Sequence, residues 1–371
     1  MKRPFIETAL DLVSLTDSEA LAHLTTALPA GEFTAGQLAA GVVPRFTVAP
    51  ERAMAAKDIG FKPNGPSLTI GTFNVGLLDR TYLGTRIQVP EIESRRAYFA
   101  RRILQEDVDI WLLQEVWEPC DYHRLHVLAE ASGYRVFSAM VDARSAHGLA
   151  ILIKDCHIEV AEPRIVCGAF YPNQYLLEYF PGPKIRRAWL SVHLHWTPWR
   201  RAVTIFNTHL TSQPQHWQIR NAQARVLGLA ARRAQRSAIT IVGGDLNADS
   251  SYAHITMKHQ TQRRLQPIWQ SGATHALLRH YGALSDIAER GGITRLDHTV
   301  EAGNPIHFEM YGDTLPNARL DHLLVNSSAP VRVHSARRIF TMPCVPLRSG
   351  TIHLSDHYGI ISRLHLVPTE G

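Results

Sequence analysis

The chain is poor in cysteine: Cys120, Cys156, Cys167 and Cys344 are the only 4 in 371 residues, and no two form a C-x-x-C pair. That spacing excludes a disulfide framework and a thiolate zinc site, and the expectation is free, buried thiols. Long apolar runs are also missing. No stretch reaches the length of a membrane-crossing helix. The basic start "MKRPF" soon meets Glu7, Asp11, Asp17 and Glu19, which break up a signal-peptide core. The reading is a cytoplasmic protein, or one exported without a cleavable signal, with at most peripheral membrane contact. Three catalytic signatures are absent as well. There is no G-x-x-x-x-G-K-[ST] loop and no G-x-S-x-G elbow, and "HGLAIL" is not an H-E-x-x-H zinc helix.

What is present permits a large core, since 45% of the residues are hydrophobic and nothing is low-complexity. The net charge of +6 suits anionic partners: nucleic acid, phosphorylated metabolites or lipid headgroups. The arginines come in scattered pairs (Arg95-Arg96, Arg101-Arg102, Arg186-Arg187, Arg232-Arg233, Arg263-Arg264), a pattern that solvated helix faces explain. Residues 1–66 read as a helical N-terminal extension. Thr16-x-x-Glu19 and Thr34-x-x-Gln37 fit capping boxes, and Leu10, Val13, Leu21 and Leu24 give a partial apolar stripe. Pro63 and Pro66, around Asn64-Gly65, mark the break before a second domain at residues 67–371.

That second part alternates strands and helices. "SLTIGTFNVG", "VDIWLLQEVW", "HGLAILI", "WLSVHLHW", "AVTIFNTHL", "TIVGGDLNADS", "RLDHLLVN" and "HLSDHYGIISRLHL" each carry a strand. "EIESRRAYFARRILQ" sets Phe99 and Ile103 four apart on a helix, and "HWQIRNAQARVLGLAARRA" sets Ile219, Ala222, Val226 and Leu229 on one helical face. Sheets inside and helices outside follow, an α/β sandwich.

The chemistry lies at strand tips. Asn74, Glu115, His209, Asp245, Asn247, Asp321, Asp356 and His357 all fall near the end of an apolar strand or just before the last one. Asp245 and Asn247 flank Leu246, so on an extended segment they point to one side. Each has a plain reading alone: a solvated Glu115, a core His209, an Asp321–Arg319 pair, a turn capped by Asp356-His357. Together they outweigh those readings. Carboxylates and an amide without thiolates are hard oxygen donors, suited to Mg²⁺, with Mn²⁺ as an alternative. Histidines beside carboxylates serve proton transfer or charge stabilisation. A divalent ion, a positioned water and imidazoles suit attack on a phosphodiester.

"FNVG", "WLLQEVW", "FNTHL", "GGDLN", "RLDHLLV" and "LSDH", in this order, resemble the motifs of the endonuclease/exonuclease/phosphatase superfamily over residues 67–367. The resemblance implies a four-layer α/β sandwich: two packed mixed or antiparallel β-sheets flanked by helices, with the site at one edge. It implies Glu115 as the main Mg²⁺ ligand, with Asn74 and Asp356 completing the metal set. Asp245 and Asn247 would position or activate water and hold the phosphate. His209, and His357 paired with Asp321, would contact the phosphate and shuttle protons, with the choice of base left open.

Within that superfamily, "QEVW" and "FNTHLTSQPQHWQIRNAQA", with Arg220 and Gln223, resemble neutral sphingomyelinases. This implies a Mg²⁺-dependent phosphodiesterase acting on a phospholipid headgroup at a membrane surface. The glycine-lysine-glycine turn of those enzymes is departed from before "PKIRRAWLSVHL", and the "W-C-D-R-I-L" pattern of inositol polyphosphate 5-phosphatases is replaced by "RLDHLL". The insertion at 168–184, with Phe170, Tyr171, Tyr175, Tyr179 and Phe180, reads as a membrane-interface loop or as a hairpin core; Trp196 and Trp199 add to the lipid reading. The alternative is a DNase-like nuclease whose basic charge lines a phosphate-tracking groove. An inactive interaction module is a third reading.

Overall fold

Hydrophobic alternation divides the strands into two faces, and each face finds its own partner. The computed structural model describes residues 66–82, 85–138, 148–158, 164–169, 187–212, 217–249, 272–294, 297–312 and 317–367. The expected N-terminal helices and all but the start of the aromatic insertion lie outside these residues.

In chain order the strands begin β1 (Ser67–Asn74), β2 (Asp79–Tyr82), β3 (Thr85–Gln88), β4 (Ile110–Gln114), β5 (Tyr134–Ser138), β6 (Ala150–Lys154), β7 (Arg164–Ala169) and β8 (Ala188–Trp196). They continue β9 (Arg201–His209), β10 (Ile239–Asp245), β11 (Leu284–Asp286), β12 (Asp321–Asn326), β13 (Val331–Ile339), β14 (Val345–Leu347), β15 (Gly350–Ile352) and β16 (Gly359–Leu366). The α-helices are α1 (Ile92–Leu104), α2 (Pro119–Ala131), α3 (Trp217–Ala234), α4 (Gly272–Gly282), α5 (Ile287–Arg290) and α6 (Pro305–Tyr311).

Two 6-stranded sheets dominate, in the orders β13-β16-β1-β4-β6-β5 and β11-β12-β10-β9-β8-β7. Each is mixed, because β1 runs parallel to β4 and β9 parallel to β10 while the other neighbours are antiparallel. A parallel neighbour needs a crossover, and α1 and α3 supply the two β-α-β units. Leu68, Ile70, Ile110, Leu112, Ile151, Val203, Ile205, Ile241, Leu323 and Ile360 fill the space between the sheets. The alternate residues turn outward. Phe73, Trp111 and Leu113 pack under Phe99, Ile103 and Leu125 of α1 and α2, while Phe206, Val242 and Leu324 pack under Leu227, Ala231 and Leu278 of α3 and α4. Four layers result, as the superfamily resemblance implies.

Three details differ from the sequence reading. The buried face of α3 is centred on Gln223, Ala224, Leu227 and Ala231, with Ile219, Val226 and Leu229 at its flanks. Gly228 explains the rotation: a Cβ there would lie 2.9 Å from the backbone nitrogen of Gly282, so α3 turns its glycine toward α4. Trp196 and Trp199 are 0% and 3% exposed in the inter-sheet core, so they offer nothing to a membrane surface. Cys120, Cys156 and Cys344 are free as expected, but Cys120 and Cys156 are exposed rather than buried. Among the described residues no helix is long and apolar enough to cross a membrane.

Candidate active site

At one end of the inter-sheet core the inward positions change from apolar to polar. On β1 they run Leu68, Ile70, Thr72, Asn74; on β4, Ile110, Leu112, Gln114; on β9, Val203, Ile205, Asn207, His209; on β10, Ile239, Ile241, Gly243, Asp245. Both parallel pairs deliver carboxyl-terminal ends to this place, where open α/β sheets bind ligands. Strand register then does the alignment. Asp245 is paired with His209 on one side and with Asp321 on the other.

The Oδ2 atom of Asp245 is the hub. The Asn74 Nδ2 amide donates to it across the two sheets at 3.0 Å, His209 Nε2 lies 3.3 Å away and His357 Nε2 3.9 Å away. Asn74 Nδ2 also reaches Glu115 Oε1 at 3.2 Å, and Asn74 Oδ1 accepts the Gly76 amide at 3.0 Å. His357 Nδ1 is 2.8 Å from Asp321 Oδ2, which leaves its Nε2 facing the hub. Arg319 does not take up Asp321; it pairs with Asp286 at 3.0 Å and Glu289 at 2.8 Å. Seven of the eight expected residues are thereby joined through contacts of at most 4 Å, once the Asn247 amide, which donates to Asp245 Oδ1 at 2.8 Å, is included. Asp356 is the eighth. Its Oδ1 accepts from Ser355 Oγ at 3.1 Å and would lie 2.4 Å from a Cβ on Gly76, whose φ of +57° and missing side chain let the loop after β1 close on it.

Two residues arrive by a route that simple alternation misses. Glu115 follows inward-facing Gln114 and by parity should point outward. A φ of +61° swings it back to Asn74. Asn247 has a φ of +48°, and β10 has already ended at Asp245, so the pair converges through a tight turn and not along an extended strand. Left-handed backbone at non-glycine residues costs about 1 kcal/mol or more and is found where function requires it.

Burial sets the charge states. It raises the Glu115 carboxyl to about 7, helped by the negative charge of Asp356 and, more weakly, Asp245. Burial likewise raises Asp245 to about 6. Burial and the nearby Arg187 cation hold the His209 imidazole well below its ordinary range. For His357 burial acts in the opposite sense, but the charge and hydrogen bond of Asp321, with Asp245 and Asp356 beyond, outweigh it and raise the ring well above 6.5. At neutral pH the site thus holds a neutral His209 and a cationic His357. Arg95, fully buried, is drawn down to about 10 by burial despite Asp356 and Glu115. Its N–H groups are occupied by the carbonyls of Leu354, Val75 and Gly76 at 2.9, 2.8 and 2.7 Å. Three carboxylates in one another's field, donating oxygen only, fit a divalent hard cation. Asp245, Asp321 and His357 also bring one ligand atom each within 4.8 Å of one another. With His357 Nδ1 already on Asp321, that group reads as an ion pair beside Asp245 rather than a metal site.

Sequence reasoning missed the floor of the site. Gln114 Nε2 donates to Asn207 Oδ1 at 2.7 Å, and Asn207 Nδ2 donates to the carbonyls of Leu113 and Ala150 at 2.8 and 2.9 Å. This fully buried bridge ties the two sheets together beneath Asp245. Both residues sit on the inward parity within motifs already singled out, and that was the available signal. Asn207→Ala is expected to cost about 2–4 kcal/mol of stability, measured by urea unfolding, because it removes three buried hydrogen bonds between the sheets. Arg95 and Arg187 were also missed as site neighbours. They belong to pairs read as solvated faces, yet Arg95, Arg96 and Arg187 are all buried. Trp117 of "QEVW" is 2% exposed and supports His209 with ring centroids 6.3 Å apart.

A second buried cluster lies behind the site. His275, Asp286 and His322 also present three ligand atoms within 4.8 Å. Arg319 already neutralises Asp286, whose other oxygen caps α5, so the cluster is structural. His322 Nε2 donates to the Ala248 carbonyl at 2.9 Å and so braces the loop that carries Asn247.

Solved structures with this architecture cover most of the chain. TDP2 from D. rerio, solved in complex with a single-strand DNA product, is 19% identical with a TM-score of 0.55, covering 81% of this chain and 99% of that one. The human Nocturnin catalytic domain with bound sulfate is 16% identical with a TM-score of 0.53, covering 81% and 94%. A mannosyl-6-phosphatase from Bacteroides thetaiotaomicron is 17% identical with a TM-score of 0.54, covering 80% and 99%. These identities establish the fold alone. No curated protein matches the chain at a significant level. The sequence model of the Endonuclease/Exonuclease/phosphatase family matches residues 71–357, from within β1 to His357 itself. The chain belongs to the Endonuclease/Exonuclease/phosphatase family and is a metal-dependent phosphoester hydrolase.

Proposed function

We propose that the enzyme hydrolyses the phosphodiester of a phospholipid headgroup, in the manner of a sphingomyelinase or phospholipase C, with Mg²⁺ as its cation. The observation that carries the lipid part is topological. Ala169 at the end of β7 pairs with Ala188 at the start of β8, and Trp189 beside it pairs with Thr208, next to His209. The aromatic-rich residues between β7 and β8 are thus rooted at the same sheet end as the site. Amphipathic aromatics in that position would admit a headgroup from a membrane interface.

Glu115, with Asn74 and Asp356 beside it, would hold the cation, which when bound polarises a phosphoryl oxygen. Asp245 accepts the proton of the attacking water, since its pKa of about 6 leaves it largely ionised at neutral pH yet close enough to that pH to take a proton. Asn247 and neutral His209 orient that water and the phosphate by hydrogen bonds. Cationic His357, held by Asp321, faces the negative charge that builds on the phosphoryl oxygens.

A nuclease is the second reading, favoured by the net charge of +6 and by the DNA-bound fold relative. One experiment separates the two: sphingomyelin liposomes and supercoiled plasmid, each incubated with Mg²⁺ or with EDTA. The expected result is phosphocholine release with Mg²⁺ and none with EDTA. Plasmid nicking beside intact liposomes would replace the lipid reading with the nuclease one.

A further inference from the structure

His307 is a buried group that the chemistry above leaves idle. It is 2% exposed, and neither ring nitrogen has a hydrogen-bond partner among the described residues. A neutral imidazole carries one N–H and one lone pair, and leaving both unmatched in a protein interior is unusual enough to need a reason. The helix that carries it is fixed to the site. Asn304 caps α6 through the Ile306 amide at 3.1 Å, and its Nδ2 donates to the Ser355 carbonyl at 2.8 Å, immediately before Asp356 and His357. One turn along α6, the Tyr311 ring lies 5.0 Å from the His307 ring. His307 feels the charges of Asp356 and His357, and Tyr311 those of Asp356, Glu115 and Asp245. The two side chains therefore lie together within the field of the site carboxylates, on a helix tied to the segment that carries Asp356 and His357. His307 belongs to neither described group of three ligand atoms, so a substrate suits it better than a second cation.

We propose that His307 is a substrate ligand: its ring N–H donates to an oxygen of the phosphoryl group, and the Tyr311 ring keeps it in that orientation. The inference rests on the phosphoester-hydrolase reading of the site. Burial, which lowers the His307 pKa, keeps the ring neutral at pH 7 with its donor in place.

The test uses the full chain with Mg²⁺, titrated calorimetrically with inorganic phosphate, beside melting curves. His307→Leu should weaken phosphate binding about tenfold, the loss of one hydrogen bond to a charged oxygen. Its melting temperature should stay level or rise, because an unmatched polar group has been replaced by an apolar one. His307→Gln, which retains a donor, should recover affinity to within about threefold of the original. Unchanged affinity in His307→Leu, a fall in its melting temperature of about 4 °C or more, or no recovery in His307→Gln would overturn the inference. So would an active wild-type enzyme that binds no phosphate. Failure of the underlying reading is a separate result: no Mg²⁺-dependent hydrolysis of liposomes, plasmid or a simple phosphoester by the wild type.

Discussion

Glu115→Ala is expected to lower kcat/KM by about three orders of magnitude while leaving the protein folded. The argument begins from charge. Half-buried Glu115 lies with buried Asp356 and Asp245, and Arg95 beside them spends its donors on four carbonyls. A divalent cation is what such a set binds, and metal stabilisation of a phosphoryl transition state supplies several kcal/mol, with each 1.36 kcal/mol worth about tenfold in rate. Removing one of three mutually repelling carboxylates does not disturb the apolar core, so circular dichroism and the melting temperature should be preserved. Glu115→Gln, equal in shape, should lose activity to a similar degree. Near-normal turnover in both variants would remove Glu115 from the metal site.

The same residue sets a pH signature for metal binding. Without a cation, Glu115 holds its proton up to about pH 7 and Asp245 up to about pH 6. Mg²⁺ must displace those protons. Its affinity should be flat above about pH 7 and fall roughly tenfold per unit below it, more steeply below about pH 6. In Glu115→Gln the upper of these two breaks should vanish, which calorimetry at a series of pH values would read directly.

His357→Ala is the second large effect, with an expected loss of about 10²–10⁴ in kcat, the usual contribution of a placed acid, base or charge. Asp321→Asn is the more informative companion. The Asp321 carboxylate is what keeps His357 charged against burial. Without it the ring loses its proton at lower pH, so the alkaline limb of the rate profile should move downward by at least one unit. A profile that does not move would mean that the His357 charge plays no part in turnover. Neither change should unfold the chain, because both side chains border the site and contribute nothing to the three apolar clusters.

The fold was legible where burial follows a simple period. β1, β4, β9 and β10 alternate cleanly, and each apolar series ends in a polar group that the motifs already marked. The strands at sheet edges were not legible. β13 reads Val-Arg-Val-His-Ser-Ala-Arg-Arg-Ile and is largely exposed, since one neighbour and little apolar cover leave it no strong pattern. β5 and the short β11 gave no signal for the same reason. The arginines misled in the other direction. Arg95 and Arg96 lie on the buried stripe of α1, where capping carbonyls and pairing with Asp79 and Asp121 replace the solvent expected around them.

By itself the amino-acid sequence determined the layered α/β architecture, the strand ends that carry oxygen and imidazole groups, and the hard-cation chemistry those groups imply. Local order was enough, because periodicity, turn residues and motif spacing are properties of neighbours along the chain. Only the tertiary structure decided which groups meet. Asn74 touches Asp245 across 171 residues of sequence, Gln114 bonds Asn207 between the sheets, and Asn304 ties the helix of His307 and Tyr311 to Ser355 beside the site. Those contacts depend on how two sheets face each other and on left-handed turns at Glu115 and Asn247, and so does the burial that sets each proton. No window of sequence contains that information.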